Sequence, residues 1–96
     1  MARLPKDYDC EPLVNAIVAL NWSPDHAKAA TRIIQSMVTD SDGNRFDDDD
    51  AVWILGSLLN RRLIRMQVHP DDVAKAAANP KVRRRARYVR IPQSEP

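Results

Sequence analysis

Apolar residues recur along this chain at two different spacings, and the switch between them separates a helical part from a short β part. Leu13, Val14, Ile17, Val18 and Leu20 fall at helical intervals on one face. Asp9 is placed to cap this first helix, while Glu11 and Pro12 suit its opening turn. Asn21-Trp22-Ser23-Pro24 interrupts the pattern and restarts it, with Ser23 as cap and Pro24 at the first helical position. Ala27, Ala30, Ile33, Ile34, Met37 and Val38 then form a second apolar stripe opposite Asp25, Lys28, Arg32 and Gln35, which predicts a helix to about Val38.

The strongest helical signal is Asp47 to Arg65, DDDDAVWILGSLLNRRLIR. Four carboxylates open it, where a cap and the positive end of the helix dipole favour them. Ala51, Val52, Ile54, Leu55, Leu58 and Leu59 supply the core face, and Arg61, Arg62 and Arg65 close the stretch. Trp53, Gly56, Ser57, Asn60 and Arg61 are left on the outer face, where they either meet a partner or let a neighbouring segment pack closely.

The period then changes to two. In LIRMQV, residues 63–68, Ile64, Met66 and Val68 alternate with Arg65 and Gln67. Asp71 to Ala78 reads as a short helical turn bounded by His69-Pro70 and Asn79-Pro80. In KVRRRARYVRI, residues 81–91, Val89 and Ile91 alternate with Tyr88 and Arg90, so the two strands are predicted to pair as an antiparallel hairpin with a long connection. Residues 1–8 read as a loosely held arm, 9–91 as one domain, and 92–96 as a disordered tail.

Charge adds a second asymmetry. Residues 1–60 hold five Lys/Arg against ten acids, whereas residues 61–96 hold ten Lys/Arg against three acids, so a formal net charge of +2 conceals two halves of opposite sign. A basic half of this kind suits nucleic acid or an acidic protein surface, and the polarity also suits self-association into a homodimer. The single Cys10 forms no internal disulfide, no stretch is long and apolar enough to span a membrane, and MARLPKDYDC lacks a secretory core, so a cytoplasmic chain without a membrane partner is expected.

Catalytic chemistry finds no foothold. One cysteine, two widely separated histidines and no glycine-rich phosphate loop leave no nucleophile–base pair or metal constellation, so neither an enzyme nor a cofactor is expected, and His26 reads as structural. Asp40, Asp42 and Asn44 match the first, third and fifth ligands of an EF-hand loop. The match then fails at Arg45, Asp47 and Ala51, leaving an acidic turn with Gly43 and Asn44 available for positive φ and Phe46 as its anchor to the core or as part of a very short strand.

Three helices ending in LLNRRLI, then strand, long loop and basic strand, resemble the winged helix-turn-helix family over roughly residues 11–91, most characteristically in VWILGSLLNRRLIRM. The resemblance implies a mainly α, three-helix winged-helix-like domain with a small antiparallel β-hairpin, a third helix that reads DNA and a wing that touches its backbone. By position the helix face is Trp53, Ser57, Asn60 and Arg61, and the wing carries Lys81, Arg83, Arg84, Arg85 and Arg87. Asp47 to Asp50 repel phosphate at the end that such helices usually present. Contact is therefore expected from Arg61, Arg62, Arg65 and the wing, as in a small bacterial or phage regulator bound to DNA. The competing expectation is an inhibitor or adaptor that uses the same shape to dock on protein, with Trp53 and the arginines as anchors.

Overall fold

A computed structural model describes residue 4 and residues 7–82 and 84–92. Its elements follow the order α1 (Glu11–Val18), α2 (His26–Met37), α3 (Asp48–Asn60), β1 (Ile64–Val68), α4 (Pro70–Ala78) and β2 (Ala86–Arg90). This is a mainly helical, winged-helix-like layout whose hairpin has a helix in its connection. Most of the arm expected at residues 1–8 and of the tail expected at 92–96 lies outside the described residues.

The helices α1, α3 and α4 start where a nearby side chain accepts one of their first N–H groups. Asp9 Oδ1 accepts the Glu11 N–H at 3.0 Å, one residue ahead of the geometric cap at Cys10. Asp47 caps α3 directly, its Oδ1 accepting the Asp50 N–H at 2.8 Å. The second helix begins at His26, later than Pro24 implies. The cause is tertiary: the Ser23 N–H and C=O exchange hydrogen bonds with Ala86 at 3.2 and 3.3 Å, which holds Ser23 in extended backbone. The linker between α1 and α2 thereby adds a one-residue rung to the free edge of β2.

The core collects Leu13, Val14 and Ile17 from α1, Ala30 and Ile34 from α2, and Ala51, Ile54, Leu55 and Leu58 from α3, closed by Ile64 and Tyr88 from the hairpin. Phe46 is buried and anchors the loop before α3, as its place in the turn predicts. Among the six largest fully buried side chains, five are helical Leu or Ile, so the helices supply most of the apolar burial. Three residues of the predicted stripes lie outside: Ala27 and Met37 of α2 and Val52 of α3 are exposed, because the α2–α3 contact covers a narrower strip of each helix than the spacing allows.

The hairpin pairs Ile64 with Arg90, Met66 with Tyr88 and Val68 with Ala86. Residues directly opposite share a face, so Ala86 and Tyr88 point inward and Val89 outward beside Arg65. The register with β1 thus inverts the expected alternation of β2. Met66 shares the inward face yet stays 54% exposed, at the edge of the helical layer, with its Sδ 2.9 Å from His26 Nε2.

Candidate functional site

The outer face of α3 is open. Trp53 is 49% exposed and the neighbouring Val52 58%, while Asn60 and Arg61 are exposed and Ser57 is half-buried. A Cβ placed on Gly56 meets nothing within 4 Å, so this glycine accommodates no close neighbour and the packing explanation of the face does not hold for it. Asp48 and Asp49 are exposed at the N-terminal end of the same helix.

At the other end, the chain leaves α3 through a tight turn. The Leu63 N–H donates to the Leu58 carbonyl and the Arg62 N–H to that of Leu59, each at 3.1 Å. This two-bond termination needs a left-handed residue, usually glycine. Here it is Arg62, at φ 57°. Arg61 Nη1 donates to Cys10 Sγ at 3.7 Å, and Arg65 is exposed on the outward face of β1. No carboxylate of the described residues forms an ion pair with Arg61, Arg62 or Arg65.

The predicted wing does not present its arginines as a group. Arg85 is drawn into the fold: its backbone N–H and its Nε both donate to Asp72 Oδ2 at 2.9 Å. Asp72 is buried under α4, and burial pushes its carboxyl upward, yet the Arg85 side-chain and backbone hydrogen bonds and the Arg85 charge outweigh this and hold it below its ordinary value. Arg87 lies over the Trp22 ring with Cζ 4.6 Å from the centroid. Trp22 in turn meets His69 edge-on at 4.8 Å, and His69 Nδ1 caps α4 by accepting the Asp71 N–H. Arg84 and Lys81 are exposed, and Arg83 lies outside the described residues. Among the described residues, the hairpin's cations without an ion pair therefore include Arg65 near the base and Lys75, Lys81 and Arg84 in the connection, whereas Arg85 and Arg87 are engaged internally.

No protein-family model, characterised protein or solved structure matches this chain.

A second basic group lies away from the predicted site, on α2 and in the loop before α3. Lys28, Thr31 and Arg32 of α2, Arg45 of the preceding loop, and Asp48, Val52 and Leu55 of α3 line an open groove of about 460 Å³ between the two helices. Buried Gln35 organises its end. The Gln35 Nε2 donates to the Phe46 carbonyl and to Asp48 Oδ1, both at 3.0 Å, and its Oε1 accepts from Arg45 Nη2 at 3.2 Å. Helical spacing already aligns Lys28 and Arg32. The arrival of Arg45 is a loop contact that spacing does not encode.

The acidic turn is closed on itself: Asp40 Oδ1 accepts the N–H groups of Asp42 and Asn44, and Gly43 takes the positive φ of 84°. Among the described residues no group of three or more His, Cys, Asp or Glu is placed to hold a metal ion, and no helix is long and apolar enough to cross a membrane.

Proposed function

We propose that this chain is a non-catalytic protein-interaction module in which the winged-helix-like layout presents the outer face of α3 to a partner. The carrying observation is the exposed pair Val52 and Trp53 on α3, a helix whose opposite face is part of the core. A tryptophan on a rigid element supplies a large contact area at small entropic cost, and such residues commonly anchor interfaces. The aspartates beside it oppose phosphate and favour a protein surface. A cytoplasmic setting fits this reading, Cys10 being a lone buried thiol.

A specific observation favours a second reading, nucleic-acid binding through the arginine end of α3. Arg62 occupies a backbone conformation that costs a non-glycine residue about 1–2 kcal/mol, and a long cation kept there beside Arg61 and Arg65 suits a phosphate contact. In this reading Lys81 and Arg84 extend the contact and DNA is the favoured polymer.

One comparison of variants separates the two. Affinity capture and light scattering with the Trp53→Ala chain are expected to lose a partner or self-association that the wild type shows, while a short DNA duplex binds weakly. Duplex binding that falls steeply with salt, survives Trp53→Ala and disappears when Arg61, Arg62 and Arg65 become alanine would establish the nucleic-acid reading instead.

A further inference from the structure

The groove between α2 and α3 joins an apolar floor to a cationic rim. Its volume of about 460 Å³ lies within the ~300–1,000 Å³ typical of sites that bury a ligand group. Ala27 and Val52 form its apolar walls, and Leu55, a member of the core, forms its base. Lys28 and Arg32 stand one helical turn apart on one side, and Arg45 stands at the end. Neither Lys28 nor Arg32 forms an ion pair with a carboxylate of the described residues. Arg45 spends one donor on Gln35 and keeps others of its five. Asp48 is the one carboxylate in this lining, and its Oδ1 is already occupied by the Gln35 amide.

We infer that this groove docks an acidic amphipathic segment of a partner protein. An apolar side chain of the segment seats between Ala27 and Val52 over Leu55, and flanking Asp or Glu carboxylates meet Lys28, Arg32 and Arg45. The inference rests on the protein-interaction reading and assigns it a partner class. Charge complementarity selects the occupant. A nucleic-acid backbone matches the cations but leaves the apolar walls with no counterpart, and a neutral apolar peptide leaves the cations unanswered. Helix-in-groove recognition uses this combination of an apolar anchor with charged flanks.

The test titrates the full chain, followed by its amide NMR spectrum, with three probes. These are a synthetic helical peptide carrying Leu at i and i+4 with Glu around them, the same peptide with Lys in place of Glu, and a short DNA duplex. The acidic peptide is expected to move the resonances of Lys28, Thr31, Arg32, Arg45 and Val52, and the Lys peptide is not. Lys28→Glu with Arg32→Glu is expected to weaken the acidic peptide at least about tenfold, with circular dichroism confirming an unchanged fold, whereas Arg62→Glu leaves it intact. Equal binding of both peptides, or indifference to the double charge reversal, overturns the inference. Shifts centred on Trp53 and Asn60 overturn the groove while sparing the interaction reading. Binding of the duplex alone, centred on Arg61, Arg62 and Arg65, overturns both.

Discussion

Asp72 accepts two hydrogen bonds from a single residue, one from the Arg85 backbone N–H and one from its Nε, both at 2.9 Å on the same oxygen. This pair ties the first turn of α4 to the residue that enters β2, so the two ends of the connection between the strands are held together.

Acid stability should depend on that pair. The Asp72 carboxyl is held below its ordinary value in the fold, so its contribution is fully present above the unfolded value of about 3.9 and is lost as pH falls through the lower folded value. Asp72→Asn is expected to lower the thermal midpoint at neutral pH and to remove this acid-dependent component. The exposed Asp71→Asn serves as the control. Circular dichroism melts across the acid range measure both.

Alkaline stability should depend on Tyr88. Burial pushes its phenol above the ordinary value of about 10, because the phenolate is poorly solvated beneath the helices. The sign is opposite to that of Asp72: the contribution is present below the unfolded value and disappears as pH rises through the folded one. Tyr88→Phe is expected to fold and to lack this alkaline loss. Phenolate absorbance followed alongside circular dichroism should show Tyr88 ionising together with unfolding.

Two residues of one predicted stripe should behave very differently. Leu58 has no exposed surface, and Leu58→Ala is expected to cost about 2–5 kcal/mol through the cavity it leaves. Val52→Ala should stay within about 0.5 kcal/mol because Val52 faces solvent at the groove. Urea unfolding of the two variants measures the difference directly.

Arg62 is strained by its backbone and supported by no ion pair with the described residues. Arg62→Gly is expected to raise stability by up to about 1 kcal/mol, the relief of the left-handed conformation exceeding the added freedom of the unfolded chain. A β-branched replacement such as Arg62→Val should instead destabilise. Chemical denaturation of the pair reads out both signs.

One side chain, Gln35, links the Phe46 carbonyl, the Asp48 carboxylate in the first turn of α3 and Arg45 at once. Gln35→Leu leaves the buried Phe46 carbonyl without that donor and is expected to cost about 1–3 kcal/mol. Hydrogen exchange should quicken most at residues 39–47.

Much of the layout was legible because it is periodic. Helical spacing located three helices, the four aspartates marked the start of α3, and the switch to alternation marked the hairpin. The inward face of β2 was not legible: Tyr88 and Val89 are both good strand residues, and only the register with β1 decides which one meets the core. The rung at Ser23 was equally hidden, since its partner lies at Ala86. For the candidate site, spacing correctly left Trp53, Asn60 and Arg61 on an exposed face. The wing arginines look alike in sequence, yet Asp72 and Trp22 engage Arg85 and Arg87 and leave Arg84 exposed. Composition has no means of making that distinction.

The rung between Ser23 and Ala86 also orders events during synthesis. Its two halves are separated by every helix but the first, and Tyr88, which closes the core, lies two residues beyond the later half. A nascent chain that has emerged only as far as α4 can already pack α1, α2 and α3 against one another but lacks Ala86 and Tyr88, so only the part of the core that these two close is expected to stay open, and accessible to chaperones, until β2 follows.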